Sequence, residues 1–408
     1  MRFKLKWVLA LLPAIALAMP AVAQVRPAVL SDSQEPGSVL VFPKFVNRPA
    51  VVTAGDQAVL PRTEIEIGVV CPPGVTQTTT VCFEHQTIKI KFHWVCPGSD
   101  DVSTKYICPE TDFFVFVSVN GKLAFAADGR PINSNSPRVP AAPCANGYLI
   151  AWVVDNADRP IKWDGLIGDA VLRGPALASG SDAGFSTAVE AYTAIPIQAN
   201  PALANGALIP FTSGPGELAF DGTMYQAVTR TLYGDVKFNN ETPRAPADIP
   251  APGNALSQTW LTLLTLDVDS GFPNLPVFVD LNFFNESLNT VSSTNPNFEF
   301  PLSAHTHFIC WTQQNITDID ANLTQAFEGT RKGIVIANNA TKVNLFGITN
   351  DEAGPATLLG LVQVFEGTVA NGFMERSYIF NMYNDSVPVF TEFEYQPGAG
   401  AGAPVVIP

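Results

Sequence analysis

The chain is short of positive charge, histidine and catalytic signatures. Its 408 residues carry 23 Lys and Arg against 37 Asp and Glu, and only four histidines. A chain this acidic has no general attraction for nucleic acid, and no Lys/Arg cluster restores one. No Cys-x-x-Cys pair exists, which argues against a cysteine zinc site. Neither Gly-x-Ser-x-Gly nor His-Glu-x-x-His occurs, so the common serine-hydrolase and metalloprotease signatures are missing. Beyond the amino terminus no apolar run is long enough to cross a membrane as a helix, which takes roughly 20 residues. Charged residues make up only 15% of the chain while Phe alone numbers 27, the opposite of a disordered composition.

What is present begins with an export signal. Arg2, Lys4 and Lys6 precede an apolar run from Trp7 to about Ala18. Ala21-Val22-Ala23 supplies the small-x-small pattern for cleavage, so residues 1–23 are expected to be removed before Gln24. Removal leaves 20 basic residues against 37 acidic, a net charge of −17. The mature chain is therefore expected in an oxidising space, periplasmic, secreted or at the cell surface, with its six cysteines as disulfides.

The body reads as all-β. Pro and Gly punctuate short apolar runs, many with period-two alternation. In Thr63–Val69 the isoleucines take one face and Glu64 and Glu66 the other. In Thr87–Trp94 the polar face is Lys89, Lys91 and His93. Their opposite charges predict that these two runs pair as an antiparallel hairpin, laced by Cys71–Cys82. Cys96–Cys108 is the second expected bridge; Cys144 and Cys310 then join the lobes or stay reduced. Asn120-Gly121 predicts a turn returning Lys122–Ala126 onto the preceding strand, Asp112–Val119. The Ala and Glu content of Phe185–Ala194 favours a helix, against its β-branched residues.

Residues 241–254 are proline-rich and divide the chain. The expected lobes are a disulfide-bearing β-sandwich at 24–240 and a second at 255–395, Ig-like or jelly-roll-like, before a Gly/Ala/Pro tail at 396–408. The lobes share an order of features, including Tyr106-Ile107-Cys108 against Phe308-Ile309-Cys310 and Gly147–Asn156 against Gly333–Asn339. That order suggests duplication of one sandwich.

The blocks EPGSVLVFPKF, GYLIAWVVDN with IKWDGLIGDAVL, HFICWTQQNITDIDANLTQ and RSYIFNMYNDSVPVF resemble an uncharacterised group of secreted bacterial β-rich proteins. The resemblance covers most of the mature chain. It implies a bacterial exported protein and carries over no catalytic or binding residue.

Chemistry-bearing clusters are few. His305 and His307 share a strand face at a spacing metal sites use. Asp318 and Asp320 open a D-x-D-x-N run, but the following Gly and the final Glu of a calcium loop are missing. These four are the metal candidates, and calcium is the one cofactor considered. Glu64, Glu66, Glu299, Glu392 and Glu394 are carboxylates a glycosidase would need, better explained as solvent-face strand residues. Trp152, Trp163, Trp260 and Trp311 could stack on sugars or pack in the core. Composition and motifs thus favour a non-enzymatic secreted or surface-associated protein with a structural, adhesive or assembly role. Its expected partners are itself, cell-surface or matrix components, or glycans. A carbohydrate-binding or carbohydrate-active jelly roll is the alternative, and a calcium-dependent binding protein the second.

Overall fold

The computed structural model describes residues 35–47, 51–52, 58–59, 62–73, 75, 82, 86–98, 107–173, 189–210, 218–220, 222–228, 230–236, 255–268, 274–285, 302–319, 333–343, 354–368 and 373–382. The expected export signal at 1–23, the proline-rich stretch at 241–254 and the tail at 396–408 lie outside them. Apolar alternation becomes strand throughout. The first half carries β1 (Val39–Val46), β2 (Val51–Val52), β3 (Ala58–Val59), β4 (Arg62–Val69), β5 (Thr87–Val95), β6 (Glu110–Ser118), β7 (Lys122–Ala126), β8 (Asn146–Val154), β9 (Leu166–Arg173), β10 (Val189–Thr193) and β11 (Ile195–Ile197). The second carries β12 (Leu232–Val236), β13 (Ala255–Leu264), β14 (Val277–Asn285), β15 (Leu302–Phe308), β16 (Trp311–Asn315), β17 (Gly333–Lys342), β18 (Gly354–Pro355), β19 (Leu359–Thr368) and β20 (Phe373–Asn381). One helical turn, α1 (Ile316–Ile319), follows β16.

Four antiparallel sheets form two sandwiches, and β2 and β3 make a small ribbon. In the first lobe the sheet β11-β1-β8-β5-β6 faces the sheet β10-β9-β4-β7. Phe42, Phe92, Trp94 and Leu149 from one sheet meet Ile65, Ile67, Phe125 and Leu172 from the other in one buried core. In the second lobe β12-β17-β14-β15 faces β16-β13-β19-β20, with β18 beside β17. Leu281, Phe283 and Val335 there pack on Leu261, Leu263 and Val362.

The two lobes repeat one topology. The order β1-β8-β5-β6 is matched by β12-β17-β14-β15, and β10-β9-β4-β7 by β20-β19-β13-β16. Each of these eight strands corresponds to the one at the same place in chain order, while β2, β3, β11 and β18 have no counterpart among the described residues. The expected match of the two Ile-Cys steps does not follow this alignment, because Cys108 precedes β6 whereas Cys310 follows β15. The counterpart of β1 is β12, which lies before the proline-rich stretch but pairs with β17 of the second lobe.

Three expectations about strands and turns are corrected. First, β4 and β5 do not form a hairpin. β4 pairs with β7 and β9, and β5 with β6 and β8. The charges find other partners: Lys122 meets Glu66, Lys89 meets Asp158, and Lys91 lies 4.0 Å from Asp112. Second, the turn at Asn120-Gly121 forms, with Asn120 at φ 59°, but it carries the chain from one sheet to the other. Asn120 N donates to Val69 O at 2.7 Å, and β7 lands on β4. Third, Val189–Thr193 is strand, not helix. Its β-branched residues and alternating exposure suit an edge against β9.

The Cys71–Cys82 disulfide closes the crossover between the facing sheets. Cys96 pairs with Cys144, and Cys108 with Cys310, in place of the expected Cys96–Cys108 loop. Strand parity explains this. Val95 opposes Glu110 across β5 and β6, so Cys96 shares a face with Pro109, and Cys108 points to the opposite face. Cys108 therefore leaves the first core and reaches the second lobe.

The lobes meet over a broad seam. The outer face of β13 and β19 sends Trp260 and Leu361 into the first core. Trp311 Nε1 donates to Pro43 O at 2.8 Å, Tyr148 Oη to Thr265 O at 3.1 Å, and Asn381 Nδ2 to Thr193 O at 2.7 Å. Gly98 N donates to Ile309 O at 2.9 Å. A Cβ on Gly98 would stand 2.3 Å from Ile309 Cγ2, so glycine there lets the seam close beside Cys108–Cys310.

Candidate interaction surface

The outer face of the five-stranded sheet changes character across its width. On β1 and β8 it is apolar and covered: Val39, Val41, Tyr148, Ile150, Trp152 and Val154 are buried with Phe220, Tyr225 and Ile309. Both strands are buried along their whole length. Among the described residues the cover does not extend over β5 and β6. There the same face presents Lys89, Lys91 and His93 beside Phe116, Phe114 and Asp112, their register partners.

β6 is the edge of this sheet and, among the described residues, pairs only with β5. Its sequence Phe113-Phe114-Val115-Phe116-Val117 is apolar at both parities. Phe113, Val115 and Val117 turn to the core. Phe114 and Phe116 point outward, 55% and 53% exposed, with ring centroids 5.7 Å apart at 80°. Lys89 Nζ sits 4.5 Å from the Phe114 centroid, a cation–π contact worth about 0.5–1 kcal/mol at such a site. Asp158 holds the same ammonium. Lys91 approaches the Trp152 ring, and His93 packs edge-on against it at 4.8 Å. The result is a firm apolar pair on an edge strand, the arrangement that accepts an added strand. In the sequence this pair lies inside a continuous apolar run, Phe113–Val117, and nothing there marks it as exposed.

The corresponding edge of the second lobe is β15. His305 and His307 lie exposed on its outer face. His305 Nδ1 is 2.7 Å from Asp280 Oδ1, and Asn339 Nδ2 donates to Asp280 Oδ2 at 2.9 Å. His307 stacks on Phe278 at 5.4 Å. Asp318 is exposed in α1, and Asp320 lies outside the described residues. Among the described residues no three His, Cys, Asp or Glu side chains are grouped to hold a metal.

Among the described residues, the carboxylate and tryptophan candidates serve the scaffold. Glu64 is buried between Arg62 and Arg173, each 2.7 Å away. Burial alone would raise its pKa; the hydrogen bonds and charges of Arg173 and Arg62 outweigh it, and the net shift is downward from 4.5. A depressed carboxylate contributes stability that is full above its unfolded value and lost as pH falls toward the folded one. Glu64→Gln is therefore expected to destabilise at neutral pH and to flatten the fall in melting temperature below about pH 4.5; an unchanged acid limb would contradict this. Glu299, Glu392 and Glu394 lie outside the described residues. Trp94, Trp152, Trp163, Trp260 and Trp311 are all buried, at 0–7% exposure, so none offers a sugar-stacking platform.

No protein-family model and no curated protein matches the chain. Among solved structures, 86% of it aligns with 74% of a chain in the crystal structure of the infectious bursal disease virus VP2 subviral particle. Identity is 12% and the TM-score 0.13, and a likeness at that level carries neither fold nor function. The class is defined by the molecule itself: an all-β protein of two antiparallel sandwiches with three disulfides. Among the described residues no helix is long and apolar enough to cross a membrane.

Proposed function

We propose that this is a non-enzymatic protein exported by a bacterium, acting as a structural or adhesive building block that assembles through the edge of β6. The observation that carries the reading is the exposed Phe114–Phe116 pair on an edge strand of a disulfide-bridged scaffold. The occupant is a second copy of β6. Antiparallel pairing about Phe114 sets Glu110 opposite Ser118 and Asp112 opposite Phe116, so no like charges oppose each other; parallel pairing would align the acids. A two-fold contact of this kind is self-complementary. Copies with a net charge of −17 repel at a distance, and salt shortens that repulsion from about 10 Å at 0.1 M to about 3 Å at 1 M.

Sedimentation velocity of the mature chain tests this. Association is expected to rise with concentration and with added salt. Phe114→Glu/Phe116→Glu is expected to sediment as a monomer at every concentration while keeping its melting temperature, since both side chains point away from the core. A wild-type chain that stays monomeric at high concentration and high salt contradicts the reading.

A further inference from the structure

Lys44 is fully buried at the seam between the lobes. It sits where β1 shifts register between Phe42 and Phe45. Tyr192 grips its backbone: Lys44 N donates to Tyr192 Oη at 3.2 Å, and the phenol hydroxyl donates to Lys44 O. Lys44 Nζ reaches the side-chain oxygen of Gln363 at 2.5 Å. Gln363, on β19 of the other lobe, is also fully buried. The same oxygen accepts from Gln313 Nε2 at 3.1 Å. Gln363 Nε2 donates to Glu190 Oε2, and Glu190 on β10 is 3% exposed.

An amine at a carboxamide carbonyl, a second donor on that carbonyl oxygen and a carboxylate on the amide nitrogen are the parts of an acyl-transfer site. We propose that this quartet joins the lobes covalently, Lys44 Nζ displacing the side-chain nitrogen of Gln363 to form an isopeptide bond. Lys44 Nζ, as the neutral amine, attacks Gln363 Cδ. Lys44 gives up its hydrogen bond to Gln363 Oε1 on attacking, and Gln313 Nε2 supports the oxyanion. Glu190 takes a proton from the attacking nitrogen and returns it to Nε2. The Cδ–Nε2 bond breaks and ammonia leaves. One amide is consumed and one is made, so no oxidant, reductant or cofactor is required. The fold holds the reacting groups together, which replaces a bimolecular encounter. Burial keeps water from competing. The reaction does not depend on assembly through β6.

Mass spectrometry of the folded mature chain, after reduction, denaturation and trypsin digestion, tests the bond. The expected result is a branched peptide linking Lys44 to Gln363, one ammonia lighter than its two parts, with the chain uncut after Lys44. An amino-terminal glutamine can also lose ammonia by cyclising, so the branched peptide decides rather than the intact mass. Glu190→Gln is expected to yield separate linear peptides. Linear, unmodified Lys44 and Gln363 peptides from the wild-type protein would overturn the proposal, whatever the variant does. A branched peptide that persists in Glu190→Gln would overturn the role given to Glu190.

Discussion

Trp94→Ala is expected to destabilise the first lobe by about 3–5 kcal/mol, the usual range for deleting a large aromatic from a core. Trp94 is fully buried. Its ring meets Phe45 at 4.9 Å, Phe125 at 6.0 Å and Phe113 at 6.1 Å. Its indole N–H donates to Pro140 O at 3.2 Å. Those three rings belong to β1, β7 and β6, and strands held on both flanks or tied to a neighbour collapse poorly into a cavity. Pro140 O also loses a partner. Phe113 stands directly under the β6 edge, so association should weaken along with stability. Urea denaturation checks the first effect, and a loss under about 1 kcal/mol would mean the aromatic cluster is not the centre of this core.

Cys108→Ser/Cys310→Ser is expected to cost about 2–5 kcal/mol, because the bridge closes a long loop and restricts the unfolded chain accordingly. The two cysteines are 202 residues apart in sequence. Both must be replaced, since one alone would leave a reactive thiol. The loss should fall at the low end if Lys44 and Gln363 are joined, because that bond already ties the same two lobes. Adding Lys44→Met to the double variant separates the cases by urea unfolding. A double variant as stable as the wild type, with or without Lys44, would show that the seam is held by packing alone.

Much of the strand pattern was legible. Thr63–Val69, Thr87–Trp94 and Asp112–Val119 alternate or run apolar and become β4, β5 and β6. Shared spacing of features predicted a duplication, and the two lobes repeat one strand order. Partner choice was not legible. Glu66 and Lys89 look complementary, but any acidic strand face can satisfy any basic one, and Lys122 and Asp158 served instead. The cysteine pairing depended on parity: a one-residue difference in register decides which face a thiol takes. Residues 189–193 show tertiary context overriding the Ala and Glu propensity of that segment.

The interaction surface was hidden for a related reason. β1, β8 and β6 all carry apolar residues at both parities. In β1 and β8 this means burial on both faces; in β6, at the edge, it means two exposed phenylalanines. Sequence does not say which strand is the edge. Lys44 carried the only sequence signal of the seam chemistry, a single lysine inside VLVFPKFV, where an apolar residue would fit the run.

Amide hydrogen exchange across β6, followed by mass spectrometry at low and high protein concentration, probes the assembly edge most directly. Slower exchange confined to residues 110–118 and their β5 neighbours at high concentration is the predicted outcome. Association that leaves β6 exchange unchanged, or that protects a different edge such as β15, would contradict it.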